Sequence, residues 1–474
     1  MSKVGLFSVG LDTYWGQFGA LLNNITGYHN QIRNRLERFG AEVVDAGMVD
    51  NIDKAKDTSM LLNNSDVDLI FLFVSTYALS STVLPIAKQS KVPFILLNLQ
   101  PVESLDYDKF NAQDDYAKKT GLWLEHCQAC AIPEISCVLN KAAVRYEIIT
   151  GYLQEERVWD EIESWLKAVK AVKALQENNM GLIGNYYGGM LDVYSDLTGL
   201  SSTFGTYFDI IEMCELKSIR DQVSPQEIKQ KIDEFHQLFD VDTTCNQKEI
   251  ERAATTSVAL DKLVEKHRLQ SMAYYYEGQP GNDYENIVTS LIAGNTLLTG
   301  RNVPVAGEYE IKNAHAMKIL SELGAGGSFS EFYLMDFKEN IIFLGHDGPA
   351  HFQIADGPVK LVPLPVYHGK PGNGLSIQMS VKKGPVTLLS VVEGHDEVFL
   401  LVAEGESVPG PILQIGNTNS RYRFPGDIRE FINKWSKNGP SHHCAIGTGH
   451  LSNTIKKIAF LLNIRMINIT EPTI

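Results

Sequence analysis

Residue types that bind divalent metal ions recur at the ends of three successive predicted elements in the second half of the sequence. Glu308 precedes a predicted helix in VAGEYEIKNAHAMKILSEL, and Glu331 lies among strand-like aromatic residues in GGSFSEFYLMDF. His346 ends the next apolar run in FLGHDGPAHF, and a later Gly-rich turn, GPSHHCAIGTGH, offers His442 and His443 as a source of a fourth ligand. Carboxylate and imidazole ligands with open coordination positions are typical of divalent-metal sites. Together these residues predict a metal site.

Each of these residues also has an ordinary structural interpretation. Glu308, at the start of a helix, is equally well placed to cap the helix N-terminus. Glu331, within an apolar strand, must be solvated, paired or bound to a cation, because burying an isolated carboxylate is costly. In FLGHDGPAHF we interpret Asp347 as a structural residue or a neighbour of the ligands, and His351 as a candidate pocket residue. The local sequence leaves these alternatives open.

A CxxC pair, Cys127–Cys130, raises the question of a redox or zinc site. A structural zinc ion usually takes four nitrogen or sulfur ligands, often from two CxxC pairs. Here only His126 could add a ligand nearby, so both interpretations are weak. We interpret the two cysteines as small buried residues or as pocket lining.

The hydrophobic pattern indicates the elements that must position these side chains. Over residues 1–175, short apolar runs such as VDLIFLFVS and VPFILLNLQ alternate with helical segments such as HNQIRNRLERFG. This alternation is typical of a doubly wound parallel sheet. A second alternating region covers residues 176–322, and residues 323–474 read as strands joined by Gly/Pro/Asn turns and followed by a last helix. We predict two open, doubly wound (Rossmann-like) α/β domains and then a β-rich, barrel-like C-terminal domain.

Composition narrows the classes of function. The 474 residues are 44% hydrophobic and 21% charged, which is typical of a globular protein. The formal net charge of −15 argues against a nucleic-acid partner or an anionic membrane, since both attract clustered Lys and Arg. Six cysteines are too few for a disulfide framework, and the sequence shows neither a signal peptide nor an apolar run of membrane-spanning length. We therefore expect a cytoplasmic protein with a small-molecule substrate.

Four motifs resemble those of the L-arabinose isomerases, which share a superfamily with L-fucose isomerase. The family sequence AGEGDWKTAALLRI resembles AGEYEIKNAHAMKIL in this chain, and GGTSFMEDYTYHF resembles GAGGSFSEFYLMDF. The family sequence LVLGSH resembles IIFLGH, and AHHTVFSHALNLNDM resembles SHHCAIGTGHLSNTI. The order and spacing of these motifs, with weaker similarity around TGYLQEERVWDEIESWL, extend the resemblance over most of the chain.

The resemblance implies a function and a ligand set. The metal ligands would be Glu308, Glu331, His346 and His443, and the metal would be Mn²⁺, with Co²⁺ or Mg²⁺ as alternatives. The implied reaction interconverts an aldose and its ketose through an enediol(ate), with Glu308 and Glu331 also acting as the acid/base pair. Family members are homohexamers with the active site between subunits, so we expect a homo-oligomer.

The chain departs from the family where the family contacts the sugar. It has VGLDTYWGQFG in place of GSQHLYG, and EHCQACAIPEIS in place of NQTAHGGREFG, so that Cys130 replaces the family histidine or His126 stands in for it. L-Arabinose is therefore a doubtful substrate. An epimerase on the same scaffold and a catalytically inactive sugar-binding or regulatory protein are the alternative functions. By resemblance, the predicted substrate contacts are Tyr14, Trp15, Gln17, His126, Gln128, Cys130 and His442.

Overall fold

Helices and strands alternate along the chain as its hydrophobic pattern predicts, and they form two units, Met1–Lys170 and Ala171–Ile474. The computed structural model describes residues 2–277, 281–364 and 373–471. Parallel sheets and a β-rich C-terminal region are both present, which confirms the predicted mixed α/β class. The three-domain division at residues 175 and 322 stays a prediction, and residues 365–372 and 472–474 of its third domain lie outside the described part of the chain.

The first unit is built on a parallel five-stranded sheet in the order β2-β1-β3-β4-β5. This order is one of the common doubly wound arrangements, and the complete burial of β3 fits a sheet covered on both faces. The strands are β1 (Lys3–Val9), β2 (Glu42–Val49), β3 (Leu69–Val74), β4 (Phe94–Gln100) and β5 (Tyr146–Tyr152). The helices are α1 (Leu21–Arg38), α2 (Ile52–Asn64), α3 (Ser80–Gln89), α4 (Tyr107–Asn111), α5 (Tyr116–Leu124), α6 (Gln128–Lys141) and α7 (Glu156–Gln176).

A buried Ser–His–Asp chain ties three elements of this unit together. Ser8 Oγ in β1 lies 2.6 Å from His29 Nδ1 in α1, and His29 Nε2 lies 2.8 Å from Asp45 Oδ1 in β2. Burial alone would raise the pKa of Asp45, but its hydrogen bond with His29 and further polar contacts lower it to about 2. Serine, histidine and aspartate are linked in the same way in the catalytic triad of hydrolases. Ser8 is wholly buried, however, so no substrate can reach its hydroxyl. These hydrogen bonds therefore have a structural role.

The second unit contains a parallel four-stranded sheet in the order β10-β9-β6-β7. Its strands are β6 (Asn179–Gly184), β7 (Tyr207–Ile211), β9 (Ser271–Tyr275) and β10 (Val305–Ala306). The helices up to this point are α8 (Leu197–Phe204), α9 (Met213–Arg220), α10 (Pro225–Leu238), α11 (Gln247–His267), α12 (Glu285–Val288) and α13 (Ile292–Gly300). A small three-stranded sheet joins β8 (Asp240–Val241), β13 (Lys360–Leu364) and β14 (Gly374–Gln378).

The C-terminal strands close into a ring. Their order is β15-β18-β11-β12-β17-β16-β19, and β15 also pairs with β16, so six strands form a closed barrel with β19 attached outside the ring. The strands are β11 (Gly326–Asp336), β12 (Ile341–His346), β15 (Gly384–Glu393), β16 (Val398–Ser407), β17 (Thr418–Arg423), β18 (His443–Thr448) and β19 (Arg465–Asn468). The remaining helices are α14 (Ile311–Glu322), α15 (Ile428–Lys437) and α16 (Ser452–Leu462). None of the helices in the described ranges is long and apolar enough to cross a membrane.

Helix α14 lies between the two sheets of the second unit. It contacts β9 and β10 of the parallel sheet and β11, β15 and β18 of the barrel. The structure buries every residue from Ile311 to Ser321, including Lys312 and His315, because other elements cover the helix on all sides. Its polar side chains must therefore find partners inside the protein.

A surface ion cluster in this unit makes stability depend on pH. His267 Nε2 lies 2.7 Å from Glu215 Oε1, and its Nδ1 lies 2.6 Å from Asp209 Oδ2. The hydrogen bond with Glu215 raises the pKa of His267 above 6.5, with Asp209 adding to the effect against an opposing contribution from burial. Both nitrogens can donate only in the imidazolium, so the interaction stabilises the fold below the unfolded pKa and is lost as pH rises through the folded pKa.

We expect His267→Gln to lower the free energy of unfolding by about 1 kcal/mol near pH 6, where both states of the wild-type histidine are largely protonated. The difference should shrink as pH rises above 6.5 and through the raised folded pKa. Urea unfolding across a pH series measures it, with the exposed His236→Gln as control. A constant difference at all pH values would show that the imidazolium contributes nothing.

Candidate metal centre

A strained turn presents Glu308 ahead of helix α14. Glu308 and Tyr309 have φ values of 56° and 60°, in the left-handed region that side chains other than glycine rarely adopt. The Tyr309 N–H donates to the Tyr274 carbonyl of β9 at 2.9 Å, which fixes the turn against the sheet. The helix N-cap is Glu310, whose side chain makes no capping hydrogen bond. The capping alternative for Glu308 is therefore wrong, and its carboxylate is available to the site.

The barrel register brings the other predicted ligands to the same place. Glu331 in β11 pairs with His443 in β18 on one side and with Gly345 in β12 on the other. Directly paired residues of antiparallel strands put their side chains on the same face, so Glu331 and His443 are neighbours. A Cβ on Gly345 would lie 2.1 Å from the Thr418 carbonyl oxygen, so only glycine fits immediately before His346.

The four predicted ligands and His442 meet in one cluster. Glu308 Oε1 lies 3.8 Å from His346 Nε2, and Glu308 Oε2 lies 3.5 Å from His443 Nε2 and 3.6 Å from His442 Nε2. Ligand atoms of Glu308, His346 and His443 all lie within 4.8 Å of one another, and so do those of Glu331, His442 and His443. Distances of this size leave room for one cation between the groups.

Aromatic rings surround the cluster. Phe329 is buried, and its ring centroid lies 4.5 Å from that of His346 and 4.4 Å from that of His443. Glu308, Glu331 and His346 face a cavity of about 100 Å³. The other residues that line it include Tyr187, Tyr274, Tyr275, Ile292 and Asp347. His351 is not one of the lining residues. It is buried, and burial lowers its pKa to about 4.

The two glutamates have opposite protonation tendencies. Burial alone would raise the pKa of Glu308, but the neighbouring imidazoles, His442 foremost, lower it to about 2. Burial raises the pKa of Glu331, with Glu308 and Asp347 adding to the effect against the opposing charges of His346 and His442. Glu308 is thus held as an anion, whereas Glu331 takes up a proton more readily than an exposed glutamate.

Asp192 orients His442 from the other side of the site. Its Oδ2 atom accepts from the His442 backbone N–H at 3.0 Å and lies 2.6 Å from His442 Nδ1, so Nε2 points towards Glu308. Burial opposes a charged imidazole, but the carboxylates of Glu308 and Asp192 raise the pKa of His442 to about 9. Sequence analysis missed Asp192, since it lies 250 residues before His442 in a loop without a recognisable motif.

A buried ion network supports the loop that carries Asp192. Lys312 Nζ donates to the Asp192 carbonyl at 2.9 Å and to Ser195 Oγ at 3.2 Å. It also lies 3.3 Å from Glu310 Oε1, while Glu310 Oε2 lies 3.7 Å from His443 Nδ1. Glu310 therefore faces both a lysine and a predicted ligand. The only sequence signal for this role is its position two residues after Glu308.

The cluster fits a divalent cation. Glu308 Oε2 and both ring nitrogens of His443 are buried without a hydrogen-bond partner among the described residues. Buried polar atoms normally have partners, so unsatisfied donors and acceptors that converge on one point indicate a missing ion or water. The set of carboxylate and imidazole groups suits a first-row divalent metal.

His346 needs a particular tautomer to act as a ligand. The Gly348 N–H donates to His346 Nδ1 at 2.9 Å, so a neutral ring carries its proton on Nε2, the atom that faces Glu308. Coordination through Nε2 requires that proton on Nδ1, and Asp347 Oδ1, 3.4 Å from Nδ1, is placed to accept a hydrogen bond from it. This geometry is compatible with a role for Asp347 beside the ligand.

The predicted contacts Tyr14, Trp15 and Gln17 lie in the first unit. Tyr14 is half-buried against Phe18, with ring centroids 5.8 Å apart, and the Trp15 indole N–H donates to Asp50 at 2.8 Å. Gln17 is exposed and lines a cavity of about 350 Å³ within this unit. The structure places these residues on one loop, and their role towards a sugar stays a prediction.

The predicted contacts His126, Gln128 and Cys130 also lie in the first unit. His126 Nδ1 lies 2.9 Å from the Leu122 carbonyl oxygen, to which it can donate a hydrogen bond. Gln128 is wholly buried, and its amide donates to the Ser75 and Glu125 carbonyls. Cys130 is exposed. The burial of Gln128 argues for a structural role, and substrate contact by all three stays a prediction.

We expect Glu310→Gln to weaken metal binding roughly tenfold or more, because the carboxylate that faces His443 Nδ1 is lost. It should also lower the free energy of unfolding by about 2–4 kcal/mol, because Lys312 is buried and loses its nearer counter-charge. Metal titration calorimetry and urea unfolding measure the two effects.

Glu393→Gln is the matched control, since Glu393 Oε2 lies 3.9 Å from Lys312 Nζ and has no ion-pair contact with a histidine among the described residues. It should reduce stability without changing metal affinity. Unchanged affinity in Glu310→Gln would show that Glu310 serves only Lys312.

Comparisons with known proteins come from sequence relatives, since no protein-family model matches the chain. A sulfoquinovose isomerase from Alkalicoccus urumqiensis is 21% identical over 340 residues, which cover 70% of this chain and 74% of the relative. An L-arabinose isomerase from Serratia proteamaculans is 20% identical over 343 residues, covering 69% and 68%. The L-arabinose isomerase of Vibrio parahaemolyticus is 20% identical over 469 residues, covering 93% and 88%.

A solved periplasmic sugar-binding protein from Legionella pneumophila is 10% identical, covers 66% of this chain and matches with a TM-score of 0.15, which is too low to bear on the fold. The sequence relatives are sugar isomerases by name, and they support a sugar isomerase here.

Proposed function

We propose that this chain, a divergent arabinose isomerase-like protein, is a metal-dependent aldose–ketose isomerase that acts on an open-chain sugar. The observation that carries the proposal is the presence of two groups of ligand atoms, Glu308–His346–His443 and Glu331–His442–His443, that share His443. Glu308 Oε2 and the His443 ring nitrogens are left unpaired among the described residues. A site for sugar binding alone would have no need of two half-buried carboxylates beside buried imidazoles that leave these atoms unsatisfied.

The four residues would hold Mn²⁺ or another divalent cation. When bound there, the cation would polarise the sugar carbonyl and stabilise the negative charge that develops when a proton leaves the neighbouring carbon. Glu308 supplies a permanent negative charge for this purpose, since its pKa of about 2 keeps it ionised throughout the physiological range. Glu310 lies beside His443 Nδ1 and Asp347 beside His346 Nδ1, so each carboxylate is placed to accept the ring proton when Nε2 binds the cation. In His346 this tautomer would replace the hydrogen bond that Nδ1 accepts from the Gly348 N–H.

Glu331 is the better candidate for moving the proton between C2 and C1. An acid/base group works best when its pKa lies near the working pH, and burial moves the pKa of Glu331 in that direction. Glu308, with its lowered pKa, is too weak a base for the same task. The structure thus suggests unequal roles for two glutamates that the motifs alone present as equivalent.

His442 would bind a sugar oxygen. Asp192 holds its Nδ1 side, so that Nε2 is directed towards the site, and its raised pKa keeps a donor proton on Nε2 at neutral pH. A fixed, charged donor is suited to a hydroxyl or carbonyl oxygen that gains negative charge during the reaction. Contacts by the first-unit residues, a homo-oligomer and a cytoplasmic location remain part of the proposal as expectations from the resemblance.

Removal of metal tests the proposal as a whole. Protein treated with a chelator should convert no aldose, and Mn²⁺ should restore ketose formation, because the carbonyl is then polarised again. A panel that includes L-arabinose, L-fucose and sulfoquinovose, scored by chromatography for ketose and for epimer, identifies the substrate and the reaction. An epimer without ketose would support an epimerase. Tight sugar binding without turnover under any divalent metal would reject an isomerase.

The two glutamates should respond differently to amide substitution. Glu331→Gln should lower kcat by roughly 10²- to 10⁴-fold with a smaller loss of metal affinity, because the amide cannot carry the proton. Glu308→Gln should weaken metal binding first, because it removes the permanent anion. Steady-state kinetics and metal titration distinguish the two variants, and Glu406→Gln, at an exposed barrel position, is the control. Full turnover in Glu331→Gln would refute its role as the proton carrier.

A further inference from the structure

Two cysteines meet at the start of helix α6, outside the metal centre. Cys127 is the residue before the helix and Cys130 lies in its first turn. The Cys127 thiol is buried and the Cys130 thiol is exposed. Residues three apart on one helical turn are neighbours on the helix surface, so the two thiols lie close to each other. Apart from the expected contact of Cys130 with the sugar, the chemistry proposed above makes no use of this pair.

The pair does not belong to a group of three or more possible metal ligands within the described ranges. Within the described ranges, the groups of three or more residues that could bind a metal both lie around His443. His126, the nearest histidine in sequence, directs Nδ1 to the Leu122 carbonyl. What remains is a pair of neighbouring thiols on one helical turn, one exposed to solvent and one buried.

We propose that Cys127 and Cys130 form a reversible dithiol–disulfide site that reacts with low-molecular-weight disulfides. The exposed Cys130 thiolate attacks one sulfur of the external disulfide, which releases one thiolate and leaves a mixed disulfide on Cys130. Cys127 then loses its proton to solvent and attacks Cys130 Sγ, which releases the second thiol. Two protein thiols are oxidised to one disulfide, and one external disulfide is reduced to two thiols.

The difference in burial between the two thiols indicates which one attacks first. Burial raises the pKa of Cys127 to about 11, with Cys130 adding to the effect, so Cys127 is a thiol at neutral pH and a poor first nucleophile. The same property makes Cys127 a poor leaving group once the disulfide has formed, which favours the oxidised state. CxxC spacing at a helix start is an arrangement that supports dithiol chemistry in proteins.

Oxidation of Cys127 would take place next to the loop that carries Tyr14 and Phe18. Cys127 belongs to a small apolar cluster with Leu21, Ile25 and Leu124, against which Tyr14 and Phe18 pack. The proposal itself stands apart from the isomerase assignment, because thiol oxidation can be measured without a sugar or a metal.

The experiment equilibrates the full-length protein with a series of oxidised-to-reduced glutathione ratios. Free thiols are then alkylated, and the protein is digested with trypsin. Cys127, Cys130 and Cys137 fall within one expected peptide, residues 120–141, so fragment spectra must locate each modification. We expect this peptide to lose two alkylations and to weigh about 2 Da less than its reduced form, with Cys137 still alkylated.

Variants make the outcome decisive. Cys127→Ser should retain a glutathione adduct on Cys130, because the second thiol that expels it is missing. Cys137→Ser, which replaces an exposed cysteine of the same helix, should leave disulfide formation unchanged. A lasting glutathione adduct on Cys130 of the wild type would overturn the proposal, and so would full alkylation of both cysteines at ratios that oxidise a reference CxxC protein.

Discussion

The requirement that buried charges be compensated shapes the centre of the second unit. Helix α14 is enclosed by a parallel sheet on one side and a barrel on the other, and its first turn carries Glu310 and Lys312 into the interior. A buried ion without a partner would destabilise the fold by several kcal/mol. Lys312 Nζ therefore contacts a carboxylate, two backbone carbonyls and a hydroxyl. These contacts hold the segment that contains Asp192 in place. The orientation of His442 follows from this placement.

The same enclosure explains why the site lies where it does. Glu308 comes from the turn that leaves the parallel sheet, whereas Glu331, His346 and His443 come from three neighbouring barrel strands. Helix α14 contacts both sheets, so it fixes the distance between the two sources of ligands. The left-handed backbone at Glu308 is strained, and strain of this kind persists where the surrounding structure over-determines the conformation, often at functional sites. The geometry thus suits the divalent cation site proposed above.

Much of the fold, and several of the residues that meet at the candidate metal centre, could be predicted from the sequence. Alternating apolar runs indicated the parallel sheets, because strands covered on both faces need continuous apolar sequence. The motifs around Glu308, Glu331 and His346 selected the residues that the structure brings together. The burial of polar residues of α14 such as His315 was not predicted, since helical periodicity does not reveal which neighbours enclose them. Local sequence patterns indicate which residues favour the interior. They do not indicate how many other elements will pack against a helix.

The sequence by itself therefore determined the chemical types of the donor groups, their order along the chain and the kinship to sugar isomerases. Only the tertiary structure decided their protonation and orientation. Glu308 and Glu331 are the same residue type in similar motifs, yet burial and neighbouring charges move their pKa values in opposite directions. Asp192 and His442 are 250 residues apart and meet only when the barrel closes against the parallel sheet's loops. The pKa shifts and the Asp192–His442 contact both depend on distances through space and on the exclusion of water. Neither can be read from the spacing of residues along the sequence.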